Sequence, residues 1–524
     1  MARRFLIAIS LANVMFFRIW RELLNGKQAY YTKSEPWANF AGVMISVLIL
    51  AAAFWLVAEI AARSDSPLLQ GIVRWAFFLV VLMSASYNKL AVYLHRRDGV
   101  VGLVLWIALT LAILYFLYRV QHVAVHVVAT LVLVASPFVL VTFAQDLWWL
   151  YQFKKMDFSD AQPAPPLPAK HGTRVLWIIF DELDYRQAFA QRDPSVQLPE
   201  LDRLRAESFF ATNAYPPNRI TELSLPSLIN GRLIAKVTPI GGRDLAITYD
   251  QQRDQRRWSR EQTVFTDARA LGRNAGMVAW YHPYCRILGA QVTRCHWEDI
   301  SLLFGELRRD PALALAVRDQ LADIVNTTWE LRTLHLWPGP EELERSEDVD
   351  DYRSLMPHVL RDVADPGLDF VFLHLPVPHP VGIYDRKTGQ LTTDRNAGYL
   401  DNLVLTDRSF GEIRKAMEAA GVWDSTTVVV SADHWWRSDF WRAHSGWTHE
   451  DDHAAETIDH RIPFLVKFAG PASHADYAPA FNTVLTRQAL AAIEIGEVKD
   501  PATLAHWLDQ HKSIGESHFN QDFH

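Results

Sequence analysis

Ionisable side chains end three apolar segments of this 524-residue chain. Asp181 follows the first segment, His374 closes the second, and the pair Asp433 and His434 follows the third. Carboxylate and imidazole groups together suit a borderline divalent cation such as zinc, or manganese where oxygen ligands dominate. A single aspartate at the end of a strand is more often a turn or cap residue. Three such ends in one chain predict a metal site.

A candidate nucleophile, Thr221, begins a predicted helix within residues 216–232, PPNRITELSLPSLINGR. The two prolines favour an extended approach to the helix, whose first backbone N–H groups and dipole favour an anion. A threonine followed by a glutamate is also an ordinary helix cap, so this position alone does not identify a nucleophile. Ser224 and Ser227, one turn further on, have the pattern of buried hydroxyls that bond back to their own helix.

The elements predicted around these residues alternate between strands and helices. Apolar runs of strand length, typical of buried parallel strands, occupy residues 175–180, 277–280, 369–374, 426–430 and 462–468. Helical patterns occupy residues 198–207, 221–228, 261–273 and 402–420. This alternation predicts a doubly wound α/β sheet, whose sites collect beyond the carboxyl ends of its strands.

The first third of the chain has the composition of a membrane domain. Residues 40–58 and 99–118 run for 19 and 20 residues without a charge, which matches a hydrocarbon thickness of roughly 30 Å. Residues 75–94 and 123–145 are further apolar stretches with a few polar positions. Residues 5–20 contain an arginine and fit a short span, an interfacial helix or a signal-like segment. The sequence predicts a helical transmembrane bundle of about five spans.

The charge of the chain is unevenly distributed. The whole chain carries 52 Lys+Arg and 59 Asp+Glu, whereas residues 1–156 carry 14 and 6. The remainder is therefore acidic, which makes it a poor candidate for binding nucleic acid. The positive-inside count favours a cytoplasmic location for residues 157–524. Five spans with a cytoplasmic N-terminus would instead place these residues outside the cytoplasm. Charge alone leaves the orientation open.

The chain is predicted to divide near the end of the apolar region. Residues 161–170, AQPAPPLPAK, have the composition of a stiff polyproline-type connection. The predicted divisions are a transmembrane helical domain (1–156), a Pro-rich linker (157–172), a catalytic domain (173–495) and a polar C-terminal segment (496–524).

Cys285 and Cys295 are the only cysteines in the sequence. Two thiols exclude a disulfide scaffold and a four-thiolate zinc site. A disulfide between them would stabilise the fold by about 2 to 3 kcal/mol in the chain-entropy model. Such a bond persists in an oxidising compartment. Two unrelated buried thiols are the alternative.

These motifs resemble, in order and spacing, the sulfatase-like branch of the alkaline phosphatase superfamily over residues 172–470. The strand that ends in Asp181 resembles its metal-carboxylate strand, and SADHWW resembles its Asp-His metal motif. TELSLPSLINGR resembles the nucleophile helix, with Thr221 where phosphoethanolamine and phosphoglycerol transferases carry threonine. His374 and His379, in HLPVPHP, resemble the paired histidines near the substrate phosphate. Membrane spans before such a domain are also the arrangement of the bacterial phosphoethanolamine transferases.

The sequence departs from that pattern at three points. Trp435 and Trp436 follow the Asp-His pair, where the family usually has glycine, so a different substrate pocket is expected. Asp181 replaces the glutamate usual in the lipid-modifying transferases, which favours the sulfatases and phosphodiesterases. Position 221 is neither Cys nor Ser and no Cys-x-Pro-x-Arg pattern is present, so formylglycine chemistry is excluded.

The resemblance implies a two-step phosphoryl-type transfer through a phosphothreonine at Thr221. The implied ligands of a divalent metal, zinc in the first place and manganese, magnesium or calcium as alternatives, are Asp181, Thr221, Asp433 and His434. His374 and His379 are expected to bind the phosphate or to protonate the leaving oxygen.

Three functions fit the sequence. The first is a membrane-bound transferase that moves a phosphoethanolamine- or phosphoglycerol-like group from a membrane lipid donor to an envelope glycan or lipid acceptor. The second is a hydrolase of phosphate or sulfate esters, and the third is a non-catalytic protein that binds an envelope polymer. The first implies the inner membrane of a bacterium, with residues 157–524 in the periplasm and no nucleic-acid partner.

Overall fold

A computed structural model describes residues 1–24, 28–84, 87–168, 172–300, 307–326, 340–442 and 446–512. The chain forms two compact units. The first comprises Met1–Gln28, Glu35–Met156 and Leu302–Pro340. The second comprises Ala29–Ser34, Asp157–Ser301 and Glu341–His524. Along the chain, one boundary between the units falls after Met156, and two segments, Ala29–Ser34 and Leu302–Pro340, belong to a different unit from the residues on either side of them.

The helices, in chain order, are α1 (Ala2–Met15), α2 (Phe17–Leu23), α3 (Gln28–Tyr31), α4 (Trp37–Arg63), α5 (Pro67–Ser84), α6 (Tyr87–Val134), α7 (Pro137–Lys155), α8 (Pro199–Ala206), α9 (Thr221–Asn230), α10 (Val264–Ala270), α11 (Tyr284–Leu288), α12 (Leu313–Asn326), α13 (Pro340–Ala364), α14 (Tyr399–Ala419), α15 (Ser438–Trp441), α16 (His449–Ala454), α17 (Thr486–Glu494) and α18 (Pro501–His511).

The strands are β1 (Arg174–Phe180), β2 (Phe209–Tyr215), β3 (Ile234–Ile240), β4 (Asp244–Tyr249), β5 (Arg256–Arg257), β6 (Ala275–Trp280), β7 (Arg294–Glu298), β8 (Phe370–Leu375), β9 (Tyr384–Asp385), β10 (Gln390–Leu391), β11 (Thr426–Ala432), β12 (Ile462–Lys467), β13 (Ala475–Tyr477) and β14 (Phe481–Asn482).

The first unit is helical. Within the described residues, two helical segments are long and apolar enough to cross a membrane, Trp37–Arg63 and Val123–Lys155. The prediction of about five spans is therefore not confirmed. The predicted spans 99–118 and 123–145 are not separated at residues 119–122, because α6 continues through these residues as one helix. The helix ends at Val134, and α7 begins at Pro137. The predicted span at 75–94 crosses residues 85–86, which lie outside the described part.

Helix α12 belongs to the first unit because it packs closely on α4. A Cβ atom at Gly42 of α4 would lie 3.1 Å from the Cβ of Ala316, so a small residue is needed there. Gln320 Nε2 donates to the carbonyl of Asn39 (3.0 Å), and Ser46 Oγ donates to Gln320 Oε1 (3.2 Å). Leu302–Pro340, which was predicted as part of the catalytic domain, thus groups with the helical unit.

The second unit is a mixed α/β domain built on a nine-stranded sheet, with strand order β13-β2-β12-β11-β1-β8-β6-β7 and β14 paired with β2. Its centre is parallel: β1 pairs with β11 on one side and β8 on the other, and every residue of the three strands is buried. The five predicted strands are all present. Strand β12 runs antiparallel to β11 and β2, however, so the sheet is mixed.

Two smaller sheets complete the described part of the second unit. Strands β3, β4 and β5 form an antiparallel sheet, and β9 pairs with β10. Like β2, β7, β13 and β14 of the main sheet, these strands were not predicted. Several are only two or three residues long, and others, such as β3, mix polar and apolar positions without a steady period.

The Pro-rich segment lies along the second unit and is tied to it. The N–H groups of Ala161 and Ala164 donate to the carbonyls of Cys285 (3.1 Å) and Val292 (2.8 Å). The N–H of Leu167 donates to Asn274 Oδ1 (2.8 Å). The segment is therefore a packed edge of the domain, whereas the sequence predicted a tether. Beyond it, Cys285 in α11 and Cys295 in β7 form a disulfide.

The described part of the C-terminal segment predicted from residue 496 contains a helix. Helix α18 begins at Pro501 with an Asp500 cap and buries Leu504, Trp507 and Leu508. Residues 513–524 lie outside the described residues.

Candidate active site

The strand register brings the predicted ligands to one edge of the sheet. Phe180, the last residue of β1, pairs with Ala432 of β11 and Leu375 of β8. The next residue after Phe180 is Asp181, and the next after Ala432 is Asp433. His374 lies one residue before the end of β8. Parallel strands end at the same edge, so residues far apart in sequence converge there.

Helix α9 presents Thr221 at that edge. The chain enters the helix in extended form at Ile220, and the helix ends at Gly231, whose φ of +62° favours glycine. Ser224 Oγ donates to the carbonyl of Asp433 (2.6 Å), which fixes the first turn of α9 to the end of β11. Ser227 Oγ bonds back to the carbonyl of Leu223 (2.7 Å), as the sequence predicted for a core hydroxyl.

Thr221 contacts both a carboxylate and an imidazole. Its Oγ1 atom lies 3.1 Å from Nε2 of His434 and 3.4 Å from Oδ2 of Asp181. Asp181 Oδ2 is in turn 3.4 Å from Nε2 of His374, and His434 Nε2 is 3.2 Å from Oδ2 of Asp433. All five side chains are almost completely buried. The structure therefore gathers these predicted site residues into one cluster, which we call the Thr221 cluster.

The two histidines of the Thr221 cluster have the same orientation. His374 Nδ1 lies 2.8 Å from the carbonyl of Trp280, and His434 Nδ1 lies 3.0 Å from the carbonyl of Trp435. A carbonyl only accepts hydrogen bonds, so Nδ1 carries the proton in both rings and Nε2 turns a lone pair toward the cluster. Burial lowers the pKa of both histidines, which keeps the rings neutral.

The two aspartates are held close together without enough hydrogen-bond donors. Burial and the neighbouring Asp181 raise the pKa of Asp433 to about 8, and burial raises that of Asp181 well above its usual value. Within the described residues, Asp181 Oδ1, Asp433 Oδ2 and His374 Nε2 have no hydrogen-bond partner. Ligand atoms of Asp181, Asp433 and His434 lie within 4.8 Å of one another. Unpaired buried oxygens beside an imidazole lone pair fit a divalent cation.

His379 lies at the border of the Thr221 cluster and is half-buried. Its ring packs edge-on between Trp280 and Trp441, at centroid distances of 5.2 and 5.0 Å. Ligand atoms of His379, Glu182 and Asp181 lie within 4.8 Å of one another. His379 thus lies beside Asp181 and Glu182.

Glu182, which directly follows Asp181, is buried and paired with two side chains. Its carboxylate accepts from Nε of Arg437 (2.8 Å) and from Nε1 of Trp441 (2.9 Å). Sequence analysis missed this pair, because Arg437 lies outside the Asp-His motif and no spacing rule connects it to Glu182. Asp184 caps the turn that follows it, because its Oδ1 accepts a hydrogen bond from the N–H of Gln187 (2.9 Å).

The two tryptophans after His434 pack against side chains of the same domain. Trp435 contacts the ring of His460 at 4.4 Å, and Trp436 stacks on Tyr399 at 4.1 Å. The Tyr399 hydroxyl donates to the carbonyl of Glu182 (2.8 Å). The tryptophans therefore support the loop that carries Asp433 and His434. Other histidines in this region are exposed on α16 (His449 and His453), and His444 lies outside the described residues.

Sequence analysis also missed the residues that contact the start of α9. Tyr31 donates to Glu222 Oε1 (2.7 Å), and the Tyr30 hydroxyl lies 2.9 Å from Nδ1 of His282. Burial lowers the pKa of His282 to about 3, and the nearby backbone of Thr221 partly offsets this effect. These tyrosines lie about 190 positions before Thr221, and no motif marks them.

Comparison with solved structures finds sulfatases and a related hydrolase. PsFucS1 sulfatase from Pseudoalteromonas sp. is 14% identical, with a TM-score of 0.43 over 66% of this chain and 76% of that one. Phosphonate monoester hydrolase of Agrobacterium radiobacter is 14% identical, with a TM-score of 0.36 over 62% and 72%. No protein-family model and no curated protein sequence matches the chain. Because these sequence identities and TM-scores are low, the likeness carries no conclusion about chemistry, which depends on the residues of the Thr221 cluster.

Proposed function

We propose that this chain is a metal-dependent hydrolase of phosphate-type esters in which Thr221 is the nucleophile. The observation that carries the proposal is the Thr221 hydroxyl at the first position of α9, within 3.4 Å of both His434 Nε2 and Asp181 Oδ2. A hydroxyl nucleophile needs adjacent groups that activate it, and an anionic substrate is favoured at a helix start. Phosphate esters are preferred over sulfate esters because a threonine cannot become formylglycine.

The protein groups that would hold the cation are Asp181, Asp433 and His434, with the Thr221 hydroxyl beside them. Zinc is the first choice for a site of carboxylates and imidazole. When bound, such an ion stabilises developing negative charge and lowers the pKa of a coordinated hydroxyl. The unpaired oxygens of Asp181 and Asp433 support this assignment.

The residues of the chain then have separate tasks. With His434 Nε2 used to hold the cation, the Thr221 proton still has one acceptor within reach, Asp181 Oδ2 at 3.4 Å. Oγ1 forms a bond to phosphorus as the bond from phosphorus to the leaving oxygen breaks, and a water later releases phosphate from the threonine. His379, at the half-buried border of the cluster, is the group placed to bind the phosphate or to protonate the leaving oxygen.

The test is to trap the covalent intermediate. Purified full-length protein is incubated with aryl phosphomonoesters, phosphodiesters and sulfate esters, quenched in acid and digested, and the peptide that contains Thr221 is weighed by mass spectrometry. A phosphate adduct on Thr221 that forms with phosphate esters supports the proposal. Turnover without an adduct, or turnover of the sulfate ester alone, contradicts it.

We propose lipid-linked transfer as a second function of the same site. Two helical segments of the first unit are long and apolar enough to cross a membrane, and the Cys285–Cys295 disulfide fits an oxidising compartment. Both features favour the inner membrane of a bacterium with the second unit in the periplasm. There, the donor would be a phospholipid and the acceptor an envelope glycan or lipid in place of water.

Two measurements separate transfer from hydrolysis and test its location. Vesicles of phosphatidylethanolamine or phosphatidylglycerol are supplied as donors, and release of diacylglycerol together with a headgroup adduct on Thr221 supports transfer. Intact cells with a permeabilised outer envelope are labelled with an impermeant thiol reagent, with and without reduction. Labelling that requires reduction supports the periplasm, whereas labelling only after lysis contradicts it.

A further inference from the structure

A six-residue segment from the N-terminal part of the chain, Ala29–Ser34, belongs to the second unit although its neighbours on both sides belong to the first. Arg286 holds its backbone. The Arg286 guanidinium donates to the carbonyl of Thr32 through Nη2 (2.8 Å) and to those of Gly242 (2.6 Å) and Tyr30 (3.5 Å) through Nη1. A buried guanidinium that satisfies three carbonyls fixes the path of the segment.

The two ends of the segment are also fixed. At one end, the carbonyl of Ala29 would lie 3.1 Å from a Cβ atom at Gly242, so this close approach favours a glycine. At the other end, the N–H of Lys33 donates to Asp299 (2.9 Å), and its Nζ bonds to Glu298 (2.5 Å). The segment is therefore an integral part of the second unit and is held by Gly242, by the Arg286 guanidinium and by the carboxylates of Glu298 and Asp299.

Tyr31 connects the segment to the residue after the proposed nucleophile. Its hydroxyl donates to Glu222 Oε1 at 2.7 Å, and its ring packs edge-on against Tyr281 at 5.6 Å. Glu222 is the second residue of α9 and directly follows Thr221. A hydrogen bond to a carboxylate is among the stronger ones in proteins, so Tyr31 restrains the first turn of α9.

Tyr30 connects the segment to His282. Its side chain is completely buried, and its hydroxyl lies 2.9 Å from Nδ1 of His282. The His282 ring is enclosed by Trp258 and Tyr284 at 5.3 and 5.5 Å and contacts the ring of Tyr281 at 5.1 Å, on which Tyr31 also packs. Close packing of this kind restrains these rings together, beside the Tyr31–Glu222 hydrogen bond at the start of α9.

We infer that Ala29–Ser34 is a built-in wall of the active site, in which Tyr30 and Tyr31 are positioning residues that act on Thr221 through His282 and Glu222. The inference rests on the proposed function for its catalytic consequence. It makes a region between two predicted membrane helices part of the site. The nucleophile would then be aligned by a part of the chain that no catalytic motif contains.

The test uses Tyr31→Phe and Tyr30→Phe in the full chain, with Tyr477→Phe as the matched control. Tyr477 also donates to a carboxylate, Asp509 Oδ1 at 2.9 Å, in another part of the domain. Loss of alignment is expected to lower kcat for an aryl phosphate by roughly tenfold or more in each test variant, with KM within about twofold. The control is expected to retain wild-type kcat.

A Glu222→Gln variant distinguishes positioning from general destabilisation. If Tyr31 acts through Glu222, the double variant is expected to be no slower than the more impaired of the two single variants. Additive losses in kcat contradict that connection. An equal loss of kcat in Tyr477→Phe would show a loss of stability without a positioning role.

Hydrogen exchange supplies a readout that does not depend on turnover. In both test variants, amides of residues 219–225 are expected to exchange faster, while amides of α10 keep the wild-type rate. Unchanged exchange at 219–225 in both variants overturns the inference. If the wild type hydrolyses none of the esters, the proposed function falls, and the exchange measurement still decides whether the tyrosines position Thr221.

Discussion

Two groups of residues meet at Thr221, and they differ in chemistry. The group that contacts its hydroxyl, Asp181 and His434, is ionisable and fully buried, and Asp181 Oδ1 has no hydrogen-bond partner among the described residues. The group on the Ala29–Ser34 segment, Tyr30 and Tyr31, is neutral and pairs with His282 and Glu222. Burial raises the pKa of both phenols, so they do not ionise. The first group is suited to chemistry and the second to positioning. Substitutions in the two groups are therefore expected to differ in their effects on turnover and metal occupancy.

The largest effect is expected at Thr221 itself. Thr221→Ala removes the hydroxyl and should lower turnover by several orders of magnitude, as the loss of a covalent catalyst does. Thr221→Ser keeps the hydroxyl and should retain part of the activity. Ser227→Ala is the matched control, because its hydroxyl serves the helix and the N–H of Ile234. Steady-state kinetics on an aryl phosphate measure all three, and equal rates for wild type and Thr221→Ala would exclude a threonine nucleophile.

Loss of the metal ligands is expected to be almost as severe. Asp433→Asn, Asp181→Asn and His434→Ala should lower metal occupancy and turnover together, since each removes a ligand. Chelation of the wild type should have the same effect, with recovery on addition of zinc or manganese. Elemental analysis and kinetics on the same samples give the answer.

The matched control for the ligand variants is Asp184→Asn. Asp184 lies three residues after Asp181, is buried and caps the N–H of Gln187, which an asparagine also does. It should therefore keep the metal. Full turnover in metal-free wild type would mean that the carboxylates act in some way other than as ligands.

The two groups also differ in how far the sequence predicts them. Asp181, His374 and Asp433 follow apolar runs, and parallel strands place such ends at one edge, so their convergence can be deduced from pattern alone. Tyr30 and Tyr31 occupy a polar stretch far from any motif. Their contacts depend on tertiary packing around Arg286 and Gly242, which hydrophobic periodicity does not encode.

The hydrophobic pattern of the sequence also predicts only part of the fold. Unbroken runs such as VLWIIF identified the central strands, but run length does not give strand direction, and β12 proved antiparallel. Apolar length predicted separate spans at 99–118 and 123–145, whereas α6 is one helix from Tyr87 to Val134 that continues through the polar residues between them. The transferase and its partners stay a prediction, since an acceptor leaves no pattern in a single sequence.

An intermediate effect is expected from reducing the disulfide. Cys285 is adjacent to Arg286, which binds the backbone of Ala29–Ser34. Breaking the Cys285–Cys295 bond should therefore loosen Ala29–Ser34 more than it displaces the proposed metal ligands. The stability loss should be about 2 to 3 kcal/mol, with lower kcat and unchanged metal occupancy. A double Cys→Ser variant and thiol reduction of the wild type should agree, because the chain has only these two cysteines. Metal loss at the same reductant concentration would show that the two groups are not separable.

The smallest effect concerns pH and the stability of the metal-free protein. The pKa of Asp433 is raised by burial to about 8, so the folded state holds a proton that the unfolded chain releases near pH 4. Unfolding then releases a proton between about pH 4 and 8, and stability falls as pH rises through that range, by up to about 1.4 kcal/mol per pH unit for each such group. The Tm of the metal-free protein should therefore fall between pH 5 and 8.

Asp433→Asn isolates this contribution from those of other buried carboxyls, such as Asp184 and Asp407, whose pKa values burial raises to about 7. In Asp433→Asn the slope of Tm against pH should be shallower, because asparagine carries no titrating proton. Tyr31→Phe should leave the slope unchanged, since its phenol does not ionise in this range. Metal should raise the Tm of the wild type more at pH 8 than at pH 5, because it binds the deprotonated carboxylates. A slope that Asp433→Asn does not change would place the titrating proton elsewhere and remove the electrostatic difference between the two groups.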